Sequence, residues 1–134
     1  MIEFTPINIP LMLVFLLNVG LGLLVYLKRS LHRQVNISFA LFAWALAGWI
    51  FSILMMYSFR DTAWRLFWGR MSFVTSSNIP STFLYFSLIF PDERRDISLL
   101  KKALIFLPST IFVLISFTPW MVRSVQWETM TVTY

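Results

Sequence analysis

Six hydroxyl or amide side chains interrupt an otherwise apolar stretch. Thr75, Ser76, Ser77, Asn78, Ser81 and Thr82 surround Pro80 in the segment SFVTSSNIPSTFLYF. Groups of this kind do hydrogen-bonding chemistry. Proline has no N–H, so the carbonyl of Ser76 loses its helical donor, and the ring pushes that turn open. In lipid an unpaired carbonyl is costly, and hydroxyls, a facing helix or water must satisfy it. Thr75, Asn78 and Thr82 fall at i, i+3 and i+7, on one face of a helix. Two readings follow. One is a kinked, polar-lined cavity or hinge that admits a small ligand. The other is interhelical hydrogen bonding around a proline kink, worth ~0.6 kcal/mol per contact.

Other candidate residues surround this patch. Arg70 lies inside the same run, where its long side chain either snorkels to the interface or pairs with Asp61 or an anionic ligand. Trp44 and Trp49 lie well inside another run and serve either core packing or a ligand pocket. Pro108 would free the carbonyl of Leu104, giving a second bend. With Arg70, Thr75, Asn78, Pro80 and Thr82, the two tryptophans make up the candidate ligand-binding set.

The missing residues exclude more than the present ones support. There is no cysteine and a single histidine, His32. Thiol chemistry, Cys-ligated metals and bis-histidine haem ligation therefore have no residues to work with. No Asp, Glu or Lys lies inside an apolar run, which removes a membrane carboxylate for proton coupling and an attachment point for retinal. Asp92, Glu93 and Asp96 alternate with basic residues and read as a solvated face. No catalytic residue, cofactor or metal site is expected.

The elements that position these residues are four apolar runs, about 9–27, 36–59, 66–90 and 103–122. Each is close to the ~20 residues needed to cross the hydrocarbon core as a helix. Of the 134 residues, 58% are hydrophobic and 13% charged, far below the ~25% charge of soluble domains. The second run, FALFAWALAGWIFSILMMY, is apolar on every face, which rules out a water-soluble bundle. The net charge of +5 gathers at helix ends and forms no continuous basic face for nucleic acid. Small residues (Asn18 with Gly22, and Ala43 with Ala47 beside Gly48) offer packing surfaces between helices.

Basic charge alternates between the loops. Lys28, Arg29, Arg33, Arg94, Arg95, Lys101 and Lys102 fall on one side; Arg60, Arg65 and Arg123 fall on the other. By the positive-inside rule the loops at 28–35 and 91–102 are cytoplasmic, and the N-terminus and residue 134 are outside. Trp64, Trp68, Trp120 and Trp127 at the outer ends, and Tyr26 at an inner end, suit interfacial depth. Glu3 stands where a cleavable signal peptide has basic residues, so the first run is expected to be retained. Residues 123–134 read as an external tail, and an even number of crossings suggests the first part of a longer membrane domain.

The segments 39–59, WRLFWGRMSF at 64–73, NIPSTFLYFSLIFP at 78–91, and Leu107-Pro108 together resemble a known family. It is the N-terminal seven-helix membrane region of bacterial sensor histidine kinases, found also on some diguanylate cyclases. The resemblance implies an all-α polytopic domain in the bacterial inner membrane, working as a sensory input module in two-component signal transduction. It would cover four of seven helices, with output domains elsewhere. Its partners would be the bilayer, a small apolar or amphipathic signal, and self or other membrane subunits. The alternative is a non-catalytic accessory subunit whose apolar faces bind a larger membrane complex. Neither reading involves nucleic acid.

Overall fold

The computed structural model describes residues 6, 8–28, 32–90 and 97–118. Glu3, Arg29, Trp120, Trp127, the acidic and basic residues between 91 and 96, the end of the fourth run at 119–122 and the tail at 123–134 lie outside the described residues. The described residues form four helices: α1 (Asn8–Leu27), α2 (Arg33–Ser58), α3 (Thr62–Ile89) and α4 (Leu99–Ser116). The fold is all-helical, as the hydropathy pattern requires.

Helices α2, α3 and α4 each begin a few residues before their apolar run. Their first turns carry polar or basic residues such as Arg33, Thr62 and Lys101, which hydropathy does not count as helix. Helix α3 has a clear start signal: the Asp61 side chain accepts from the Ala63 N–H at 3.1 Å, satisfying one of the donors left open at a helix N-terminus.

Side chains tie the flanks of the first two connections. Asn36 donates to the Lys28 carbonyl at 3.2 Å across the α1–α2 connection. Arg65, buried at 7% exposure, donates from Nε to the Phe59 carbonyl at 2.9 Å across the α2–α3 turn. Connections this short make neighbouring helices antiparallel.

The helices pack in series. Contacts run from α1 to α2, α2 to α3 and α3 to α4, and α4 touches neither α1 nor α2. The result is a row rather than a closed bundle. The core follows the middle of that row, where Ala40, Ala43, Ala47, Ile50 and Leu54 form a buried stripe at helical spacing on α2. Small side chains let backbones approach, which is how helices gain packing energy in lipid. Aromatic rings continue the contact toward the α2–α3 turn, from Phe15 to Phe51 to Trp68 to Phe67 to Trp64 to Phe59, with successive centroids 5.4–6.1 Å apart.

Helices α1, α2 and α4 are long and apolar enough to cross a membrane. Helix α3, with 28 residues and a length of about 42 Å, lies against both α2 and α4; of the four spans expected from sequence, it is the one not apolar enough to join that set. Leu24 at 70% and Leu114 at 69% exposure are among many large apolar side chains on the outer faces. Such a surface suits acyl chains, whereas in water it would drive association.

Candidate functional site

The polar residues of α3 divide between two faces. Thr75 donates to the carbonyls of Met71 and Ser72, Asn78 to that of Val74, and Thr82 to those of Asn78 and Ile79. Each spends its hydrogen-bonding capacity on its own helix, a pattern that hides polar groups from lipid. The methyl group of Thr75 packs over Gly48 of α2, 3.5 Å from where a Cβ would stand. This is the α2 side of α3.

The other face meets α4. There a groove of about 470 Å³ is lined from α3 by Phe73, Ser76, Ser77, Pro80, Ser81 and Leu84. Helix α4 contributes Ile105, Pro108, Ser109, Phe112 and Ser116. This volume lies within the range of small-molecule pockets. No charged side chain lines it.

At the base of the groove the two helices make a reciprocal contact. Each carries the dipeptide Pro-Ser, as Pro80-Ser81 and Pro108-Ser109. The Ser81 hydroxyl donates to the carbonyl of Ile105 at 2.9 Å, four residues before Ser109. The Ser109 hydroxyl donates to the carbonyl of Ser77 at 2.6 Å, four residues before Ser81. The two hydroxyl oxygens also touch each other. Both serines are buried, at 5% and 3% exposure. Each proline removes one rung of the helical ladder just before its serine. Each serine hydroxyl then bonds across to the partner helix at the weakened turn.

Of the candidate ligand-binding set, Pro80 alone lines this groove; Ser76, Ser77, Ser81 and Pro108, noted in the sequence as polar or bend residues, line it as well. Thr75, Asn78 and Thr82 share a face as their spacing requires, but it is not the groove's face. Arg70 is half-buried, about two turns into α3. Trp44 belongs to the α1–α2 contact: its ring lies 5.6 Å from Tyr26, and a Cβ built on Gly22 would come within 2.5 Å of its Nε1. Trp49 is 37% exposed on α2. Sequence reasoning missed Ser109, which follows Pro108 in the fourth apolar run. The signal that could have found it was the repetition of Pro-Ser in two successive helices.

Among the described residues there is no group of His, Cys, Asp or Glu that could hold a metal ion. The features present are apolar outer faces, helices long and apolar enough to span and a proline-flanked hydroxyl seam, which define a polytopic membrane module. The chain matches, over residues 10–133, the family described as the N-terminal 7TM region of histidine kinase, and it belongs to that family. This is the family that the aromatic and proline positions resemble, and it is the kinases' membrane region rather than their catalytic part. No curated protein and no solved structure matches the chain.

Proposed function

We propose that the chain is the sensory input module of a membrane histidine kinase, and that the α3–α4 seam is its moving part. The observation that carries this reading is the reciprocal Pro-Ser contact. Helix α4 meets α3 and no other described helix, and both helices carry a proline at the groove. Bending at Pro108 changes the angle of α4 without disturbing the packed α1–α2–α3 part of the row, whereas bending at Pro80 also moves Phe83 and Phe86 against Phe42 and Phe39 of α2.

A small amphipathic molecule in the groove, or a change in bilayer stress, would favour one angle over the other. A preference of ~1.4 kcal/mol shifts such an equilibrium tenfold. The shift would pass along the chain to later helices and the kinase output.

The arrangement in the membrane follows the basic loops. Residues 28–35 and 91–102 are cytoplasmic, and the α2–α3 turn is outside. A cysteine at Asp61 should then react with a membrane-impermeant maleimide from outside, and one at Arg33 only after permeabilisation. The reverse pattern would overturn the orientation.

The signalling reading is tested in a kinase carrying this region, reconstituted in vesicles. Pro80→Ala with Pro108→Ala restores both missing ladder bonds and stiffens both helices. Autophosphorylation should change severalfold; output equal to the parent kinase, in a protein of unchanged helicity, would contradict the mechanism.

A further inference from the structure

Three oxygen contacts meet at Ser81 and Ser109: one from each hydroxyl to a carbonyl of the other helix, and one between the hydroxyls themselves. Two hydroxyls carry only two protons, while each oxygen offers two lone pairs. When both protons go to the carbonyls, the contact between hydroxyl oxygens holds none, and lone pairs face each other. When one proton turns into that contact, a carbonyl gives up its bond. The seam is one donor short in every arrangement.

The groove beside the seam adds acceptors and no donor of its own. Ser76 and Pro80 stand one turn apart on its wall, and the Ser76 carbonyl between them receives no N–H from Pro80. The Ser76 hydroxyl proton already goes to the Phe73 carbonyl, and that of Ser116 to Phe112. The remaining wall is apolar, from Phe73, Leu84, Ile105 and Phe112.

From this we infer that the α3–α4 groove binds a neutral molecule with an apolar body and a terminal hydroxyl, an alcohol of medium chain length, whose O–H supplies the donor missing at Ser81 and Ser109. The inference rests on the reading of the seam as the input element and deepens it by naming the ligand's chemistry. A cation would leave its charge desolvated against an uncharged wall, and an anion would bring acceptors to acceptors. An ether has the apolar body but no proton to give. The alcohol's proton goes to the Ile105 or Ser77 carbonyl that a serine has released, so that serine's proton fills the contact between the two hydroxyls and the seam closes.

The test uses the full chain in phosphatidylcholine vesicles and a photoreactive medium-chain alcohol with a diazirine at the end of its alkyl chain. Its methyl ether is the matched probe. The alcohol should label peptides containing Phe73 to Leu84 and Ile105 to Phe112, and excess 1-octanol should compete it away. The ether should label the same peptides about five- to tenfold less, the value of one hydrogen bond.

Ser81→Ala with Ser109→Ala should reduce alcohol labelling to the ether's level. Ser81→Thr, which keeps the hydroxyl, should retain the preference. Equal labelling by alcohol and ether, or a preference surviving in the double alanine variant, overturns the inference. Absence of groove labelling by either probe overturns it as well, since another helix or lipid then fills the space. Kinase output is not part of this readout. Groove labelling with unaltered signalling in the double proline variant would overturn the signalling role alone.

Discussion

Removing the two seam hydroxyls should reveal that they act as one unit. In Ser109→Ala the Ser77 carbonyl loses a 2.6 Å interhelical bond, and in Ser81→Ala the Ile105 carbonyl loses one of 2.9 Å. Neither carbonyl is abandoned, because each faces the N–H four residues ahead in its own helix. The loss is therefore on the scale of hydrogen bonds between membrane helices, about 0.6 kcal/mol on average and about 1.7 at most.

Each single variant should thus lower the stability of α4 docking by about threefold to about eighteenfold. The two serines share two protons over three contacts, so losing one hydroxyl already relieves the other of a competing contact. The double variant should cost more than the sum, because the relief is gained only once, with a coupling of about 0.5–1 kcal/mol. A denaturing-detergent titration of the four proteins, followed by energy transfer between labels on α3 and α4, measures the cycle. Additivity within about 0.3 kcal/mol, or single variants matching the parent, would refute the reciprocal contact.

Two further substitutions separate packing from signalling. Gly22→Ala should destabilise the α1–α2 pair by about 1–3 kcal/mol, because its Cβ would fall 2.5 Å from the Trp44 indole nitrogen; Gly20→Ala, with nothing within 4 Å, should be tolerated, and detergent titration with tryptophan emission distinguishes them. Thr75→Val should change stability by no more than about 0.5 kcal/mol, since the Thr75 hydroxyl serves only its own helix; a loss as large as that of Ser109→Ala would show that the α2 side of α3, not the groove side, carries the polar coupling.

The helices were legible from sequence because the membrane imposes a simple rule: a run of apolar residues long enough to span. The family was legible because its aromatic and proline positions lie in those same runs. The groove was not. Periodicity correctly placed Thr75, Asn78 and Thr82 on one face of α3, but it could not show that the face meets α2 rather than α4. The six polar side chains around Pro80 look alike in a sequence. Only the partner helix decides which of them bond outward, and Ser81 bonds outward because Ser109 is there to meet it. Trp44 shows the same limit. Its place over Gly22 depends on a contact between helices that residue spacing within α2 does not encode.

Locking the seam tests the central claim most directly. Ser81 and Ser109 touch through their side-chain oxygens, so cysteines at both positions lie within reach of a disulfide. The chain has no other cysteine, and a kinase carrying this region without the two substitutions is the control. If movement of α4 against α3 sets the output, autophosphorylation in vesicles should differ by about threefold or more between the oxidised and reduced double-cysteine protein. It should not respond to medium-chain alcohol while oxidised. Equal activity and equal alcohol response in the two redox states would contradict the claim.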